Sequence, residues 1–125
     1  MKKFKIADGI YMLTINVEDI LFEGIWEIGN GVTLNSYIVQ GEKTAIIDGV
    51  IGWDGIPETL YKNLEEIGVD PKSIDYLIVN HMEPDHSGWI SNFKKIKDDI
   101  TVVCTDRAAK MVKAFYGGNN VRVVK

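Results

Sequence analysis

The sequence is poor in several features that would each point to a particular class of protein. It has one cysteine in 125 residues, so it cannot form an internal disulfide. A protein without disulfides suits a reducing compartment, and we predict a cytoplasmic location. The 14 lysines and arginines are outnumbered by 18 acidic residues, which gives a net charge of -4. This balance argues against a nucleic-acid or anionic-membrane partner.

Long apolar runs and several common cofactor motifs are missing as well. No apolar stretch reaches about 18 residues, the length of a membrane-spanning helix, and no basic segment followed by an apolar one marks a leader. The patterns GxGxxG, Walker A and GxSxG do not occur. We therefore predict no membrane partner, no dinucleotide or P-loop site, and no serine nucleophile.

What is present is a globular composition, with 46% hydrophobic and 26% charged residues. A chain of this length is expected to form one compact domain. The patterning predicts a hairpin within 4–17, an irregular glycine-containing stretch, and a second hairpin within 33–50. The first helix is predicted to start near Asp54–Pro57, to carry an apolar stripe, and to end at Gly68.

Strands and helices alternate in the second half of the sequence. Apolar runs at 74–80 and 99–105 are typical of strands buried on both faces. One helix is predicted to follow Ser87 as its N-cap, and another to run from Thr105 or Asp106 to Gly117. A last β run starts at residue 121 and resembles a strand that has been cut. The pattern predicts a mixed α/β layout that belongs to a longer chain.

Both histidines of the chain lie in one polar loop, His81-Met82-Glu83-Pro84-Asp85-His86-Ser87-Gly88. In an extended backbone, His81, Glu83 and Asp85 would point to one side, and His86 could reach a second centre. Imidazole and carboxylate ligands without thiolates suit iron or manganese at least as well as zinc. The alternative is a solvated loop in which Pro84 and Asp85 form a turn and Ser87 caps the next helix.

A few other residues have two open interpretations. Asp48 ends an apolar strand, where it either forms a turn or orients a metal-bound histidine. Asn80 has the same two options, and loop capping is preferred. Cys104 lies in an apolar run and is interpreted as a packing residue. The three tryptophans are interpreted as core or rim aromatics: Trp26, Trp53 and Trp89.

At these residues the sequence resembles the N-terminal part of the flavodiiron proteins, whose catalytic domain has the metallo-β-lactamase fold. The segments that carry the resemblance are 21–39, 45–49, 74–88 and 102–125. The most specific motif is His-x-Glu-x-Asp-His-x-Gly at 81–88, because zinc hydrolases of this fold have histidine in place of Glu83. The implied fold is an α/β, αββα sandwich, of which residues 1–125 supply only the N-terminal half, a mixed sheet with helices on one face.

The resemblance also implies a function, the reduction of O2 to water or of NO to N2O at a non-haem diiron site. His81 and Glu83 would bind one iron and Asp85 the other, with His86 a ligand there in some family members. Other members place a His or Tyr near the site where this sequence has Glu23 and Ile25. The family's remaining ligands and its flavodoxin-like FMN domain would lie beyond residue 125. The chain alone is therefore expected to be inactive, and an electron donor such as rubredoxin would serve the full-length protein.

Two alternatives stay open at this point. One is a metal-dependent hydrolase of the same fold, with zinc holding a hydroxide. The other is a non-catalytic half-domain, whose uncovered sheet face would drive the formation of a homo-oligomer. Loose binding of zinc or iron at the 81–86 loop is compatible with the second alternative.

Overall fold

The computed structural model describes residues 2–18, 21–22, 24–49, 57–118 and 120–125. Nine strands occur within these residues: β1 (Lys2–Ala7), β2 (Ile10–Val17), β3 (Leu21–Phe22), β4 (Trp26–Glu27), β5 (Val32–Gln40), β6 (Thr44–Ile47), β7 (Tyr76–Ile78), β8 (Thr101–Cys104) and β9 (Val121–Val123). Seven of them form one sheet in the order β1-β2-β5-β6-β7-β8-β9. The β1 to β6 part is antiparallel, and β6, β7, β8 and β9 run parallel.

The two predicted hairpins are confirmed, with β1 and β2 forming the first and β5 and β6 the second. The turn of the first hairpin requires Gly9, which has φ 71° and where an added Cβ would clash with the carbonyl oxygen of Gln40. The stretch predicted as irregular also contains the short antiparallel pair β3 and β4. Strands of two residues are too short to show any alternation in a sequence. Val50, predicted to end the second hairpin, lies outside the described residues.

Four α-helices lie within the described residues: α1 (Pro57–Glu66), α2 (Pro84–Ser87), α3 (Ile90–Ile96) and α4 (Asp106–Tyr116). A 3-10 turn lies at Pro71–Ser73. The prediction of α4 is confirmed, since the Thr105 side chain accepts a hydrogen bond from the Ala108 N–H and Gly117 follows the last turn. Helix α1 agrees with its prediction from Pro57 onward, and residues 54–56 lie outside the described part. No helix in the described residues is long and apolar enough to cross a membrane.

The prediction that Ser87 caps a helix is wrong. Pro84 starts the short helix α2, so Ser87 lies inside that helix, and α3 begins at Ile90 with Trp89 as its N-cap residue. Proline suits the first position of a helix because the N–H that it lacks would have no partner there. The Ser87 hydroxyl bonds back to the carbonyls of the preceding turn instead.

The helices cover one face of the sheet, as predicted. Leu77 of β7 is aligned with Ile46 of β6 and Val102 of β8, and all three side chains are fully buried. They share one core with the buried apolar residues of α1, α3 and α4: Leu60, Leu64, Ile90, Phe93, Ala109 and Val112. We call this side of the sheet the covered face.

The prediction that β7 and β8 are buried on both faces is wrong for this chain. Tyr76 and Ile78, which flank Leu77, are only half-buried, because none of the helices just described contributes a buried apolar residue to that side. Cross-strand partners place one row of side chains along it: Phe4, Met12, Tyr37, Ile47, Ile78, Val103 and Arg122. We call this side, with Val39 and Ala45 of the next row, the open face.

Candidate metal centre

The candidate site lies where two neighbouring parallel strands, β6 and β7, end. Asp48 follows β6, and Asn80 and His81 follow β7. The Asp48 N–H donates to the carbonyl of Ile78 at 3.0 Å, and the Asn80 N–H donates to Asp48 Oδ1 at 2.9 Å. The carboxyl edge of a parallel sheet is the usual position of ligand sites in α/β proteins. The two loops are thus fastened to each other at such an edge.

Asp48 has an unusual backbone conformation, with φ at 48°. Few residues other than glycine adopt this region, and such strain of about 1–3 kcal/mol is often found at functional sites. The hydrogen bond from the Asn80 N–H supports the interpretation of Asp48 as a turn former that braces the next loop. Its second interpretation, orientation of a metal-bound histidine, stays a prediction.

His81 and Glu83 point to the same side of the loop, as the alternation predicts for these two residues. His81 Nε2 lies 3.2 Å from Glu83 Oε2, and the two side chains are 51% and 63% exposed. A solvent-exposed ion pair of this kind contributes little to stability. The pair therefore places a nitrogen donor and an oxygen donor at the surface while contributing little to the stability of the fold.

The extended backbone predicted to continue to Asp85 is wrong, because helix α2 starts at Pro84. Helical backbone turns His86 toward the first imidazole, and the His81 and His86 ring centroids are 5.1 Å apart. The side chain of Asp85 lies outside the described part of the structure. Its part in the site, and the complete set of His81, Glu83, Asp85 and His86 as metal ligands, stay predictions.

The donors in the described residues fit part of a metal site. Nitrogen and oxygen donors without a thiolate match the ligands of iron, manganese or zinc. However, the described residues contain no group of three or more His, Cys, Asp or Glu side chains close enough to hold one ion. Even zinc takes four ligands in a closed site. Further donors must come from the Asp85 side chain or from groups outside the described residues.

Trp89 contacts both loops of the site. From the sequence it was predicted only as a core or rim aromatic. It is fully buried, and its indole N–H donates to the His86 carbonyl. Gly49, which follows Asp48, lies against the indole ring so closely that a Cβ would overlap ring atoms. The sequence signal for this contact was the glycine of the Asp-Gly pair after β6, because a glycine at a strand end often marks a position that another group approaches closely.

The other two tryptophans have no demonstrated part in the site. Trp26 is 58% exposed at the surface strand β4, and Trp53 lies outside the described residues. The neighbouring Ile25 is 68% exposed, and Glu23 also lies outside the described residues.

Cys104 is not placed to serve as a metal ligand. Its side chain is 2% exposed within the core of the covered face. Burial raises the pKa of its thiol, and only the nearby charge of Lys113 acts in the opposite direction. The thiolate, which is the form that binds metals, is therefore disfavoured. The interpretation of Cys104 as a packing residue is confirmed.

Comparison with known proteins places this site in context. The metallo-beta-lactamase superfamily matches residues 29–124. A nitric oxide reductase of Moorella thermoacetica is 36% identical over 113 residues, which cover 89% of this chain and 28% of that protein. The structure of a variant of the flavo di-iron protein of Thermotoga maritima superposes on this chain with a TM-score of 0.86 at 35% identity. The match covers 99% of this chain and 32% of that one.

A further solved structure, the rubredoxin oxygen:oxidoreductase of Desulfovibrio gigas, superposes with a TM-score of 0.85 at 27% identity and matches 99% of this chain. The chain spans only 28%, 32% and 31% of the lengths of these three relatives. The predicted resemblance to the flavodiiron proteins is confirmed, and so is the fold class, a metallo-β-lactamase-like mixed sheet with helices that corresponds to part of those chains.

Proposed function

Since this chain belongs to the metallo-beta-lactamase superfamily, we propose that it supplies part of a flavodiiron-type metal site in an oxidoreductase that reduces O2 or NO. The observation that carries the proposal is the His81–Glu83 pair at the carboxyl ends of β6 and β7, with His86 beside it. The relatives named above as a nitric oxide reductase and an oxygen:oxidoreductase support the reaction class.

In this proposal each residue of the loop has one task. His81 Nε2 and the Glu83 carboxylate hold one iron, and Asp85 with His86 serves the second. Asp48 keeps the loop at the sheet edge through its bond to the Asn80 N–H. Two irons held there would supply Lewis acidity and pass on to O2 or NO the electrons that they receive from FMN. Zinc would bind to the same donors but, unlike iron, could not transfer electrons.

The rest of the active protein is proposed to come from outside this chain. The chain spans about a third or less of its relatives, so further ligands and an FMN domain have room there. FMN would pass electrons to the site from a donor such as rubredoxin, in the cytoplasm. On this proposal the 125 residues alone have little or no reductase activity.

A chimera tests the proposal directly. Residues 1–125 would replace the matching third of the Thermotoga maritima flavo di-iron protein, and bound iron and the consumption of O2 and NO would be measured. We expect two irons per chain and turnover, both lost in a chimera carrying His81→Ala. A chimera that binds iron but consumes neither gas would contradict the proposal. Bound zinc with esterase or lactamase activity would favour the hydrolase instead.

The open face supports a second candidate, a half-domain that forms a homodimer. Phe4 is 45% exposed, Tyr37 38% and Val39 36%. Seven strands spaced about 4.8 Å apart, with about five residues each, give very roughly 500 Å² per face. Two such faces together reach about 1,000 Å², the lower limit of specific interfaces. We propose that a second copy of this chain covers the open face when no other segment does.

A further inference from the structure

We propose that Tyr116 is a positioning residue for the candidate ligand loop, acting through a hydrogen bond to Ser87. The inference rests on the proposed function, because its consequence is the strength of metal binding at His81 and Glu83. Tyr116 is the last residue of α4, far from the loop in sequence, and no motif in the sequence connects the two.

The geometry around Ser87 sets the direction of each hydrogen bond. Ser87 Oγ lies 3.0 Å from the Glu83 carbonyl and 3.2 Å from the Met82 carbonyl, and 2.9 Å from the Tyr116 hydroxyl. Carbonyl oxygens only accept, so the single Ser87 proton is directed to them. The Tyr116 hydroxyl must then donate to Ser87 Oγ. A chain of hydrogen bonds thus runs from α4 to the backbone of a proposed ligand, Glu83.

Ser87 is suited to this task because it is fully buried. Buried polar groups lose more when a partner is removed than exposed ones, since water does not replace the partner. Loss of a hydrogen bond to this hydroxyl is therefore costly, and its hydrogen bonds fix the turn between Met82 and Ser87. The side chains of His81 and Glu83, by contrast, are largely exposed and contact each other.

Tyr116 is itself held in a defined position. Its ring packs against the core of the covered face. Lys94 of α3 donates from Nζ to the Tyr116 carbonyl at 3.3 Å and also to the carbonyl of Gly117. A cation at this helix end is favoured by the helix dipole. The donor of the Ser87 bond is therefore supported by both α3 and α4.

The test compares Tyr116→Phe and Ser87→Ala, each of which removes one hydroxyl, with Tyr37→Phe on the open face as the matched control. Affinity for Co²⁺ and amide hydrogen exchange of residues 81–87 would be measured on the 125-residue chain, with thermal melts to verify folding. We expect Co²⁺ affinity to fall about tenfold in both variants, as for other residues that orient metal ligands. Exchange should speed up at 81–87 and stay unchanged in α1. The double variant should lose no more affinity than Ser87→Ala, because Tyr116 acts through Ser87.

Each outcome decides the proposal. Wild-type affinity and wild-type exchange in Tyr116→Phe would overturn it. An equal loss of Co²⁺ affinity in Tyr37→Phe, or faster exchange throughout the chain, would show that the Tyr116–Ser87 bond contributes only to overall stability. Either result would also overturn the proposal. If the unmodified chain binds no Co²⁺, the loop does not hold a metal without further donors, and the proposed function is decided by the chimera described above. In that case, faster exchange confined to 81–87 in both variants still supports the positioning role, and unchanged exchange rejects it.

Discussion

The two faces of the sheet have similar strand residues but opposite surroundings. On the covered face Ile46, Leu77 and Val102 are fully buried beneath three helices. On the open face Tyr37 is 38% exposed and Ile78 is half-buried. Adjacent positions of one strand therefore differ in burial, although both are apolar. Burial is set by what packs on a face, and only the covered face has its partners within this chain's described residues.

The difference between the faces extends to the candidate site. Trp89 belongs to the covered core and packs edge-on against Phe93, with ring centroids 5.4 Å apart. Because the same tryptophan donates to the His86 carbonyl and abuts Gly49, that core positions the site loops. The open face has no such connection in the described contacts. Disturbing the covered face should therefore strongly affect both folding and metal binding, and disturbing the open face should mainly affect association.

The largest effect is expected at Leu77. Leu77→Ala leaves a cavity in the covered core and should lower the free energy of unfolding by about 3 kcal/mol. Ile78→Ala, its neighbour on the open face, should cost less than half as much because its side chain is already partly in solvent. Urea unfolding of both variants measures the difference. Equal losses would mean that the open face is buried as deeply as the covered one.

A smaller effect is expected at the junction between core and site. Gly49→Ala inserts a methyl group against the Trp89 ring, which should cost about 1–3 kcal/mol as an overpacked contact. It should also disturb the loops that Trp89 supports and so weaken metal binding. Gly29→Ala is the control, since no atom lies within 4 Å of its added Cβ. Equal unfolding energies for the two variants would show that the Gly49 contact carries no constraint.

The open face should respond in association rather than in folding. Tyr37→Lys places a charge in the proposed dimer contact but should change the free energy of unfolding of the separated chain by no more than about 0.5 kcal/mol. Met111→Lys on α4 is matched in exposure, 37% against 38% for Tyr37. Sedimentation should show dimers for the original chain and Met111→Lys, and monomers for Tyr37→Lys. A folded monomer at micromolar concentration before any substitution would contradict the dimer.

The smallest effect is expected from Asp75, at the opposite end of β7 from the site. Its carboxylate accepts a hydrogen bond from the Thr44 N–H at 2.9 Å. This bond lowers the pKa of Asp75, burial opposes it, and the charges of Lys43 and Lys97 add to the lowering. A carboxyl group whose pKa is lowered in the folded state stabilises the fold at pH values above its unfolded pKa of about 3.9. This stabilisation is lost as the pH falls through the folded-state pKa.

Asp75→Asn should therefore be less stable than the original chain by a constant amount from neutral pH to about pH 5, with a difference that shrinks below about pH 4. Urea unfolding as a function of pH measures this, with the exposed Asp98→Asn as control. A difference that does not change down to pH 3 would exclude the carboxylate charge as its cause.

The sequence predicted the parts of this molecule that depend on local chemistry. Asp8-Gly9 defined a hairpin turn, Thr105 a helix start and Gly117 a helix end, because each acts on its own few residues. Ser87 was misplaced because Pro84 competes with it for the helix start, and proline begins a helix of its own. Burial of Tyr76 and Ile78 was overestimated because an apolar run does not reveal whether its second partner layer is present.

The candidate site was predictable to the same extent. His81 and Glu83 share a side of the loop because an extended backbone alternates, and the alternation ends where helix α2 begins. The contacts of Trp89 with Gly49 and of Ser87 with Tyr116 join residues 40 and 29 positions apart. Such contacts arise from packing, and a single sequence has no signal for them beyond the residues' types.

The central claim is that the 81–86 loop binds a redox-capable metal. Its most direct test is anaerobic equilibrium dialysis of the chain against Fe²⁺, with His81→Ala, Glu83→Ala and the exposed Glu65→Gln of α1 in parallel. The account predicts binding to the original chain and to Glu65→Gln, weakened at least about tenfold in the two loop variants. Equal Fe²⁺ binding by all four proteins, or by none, would contradict it.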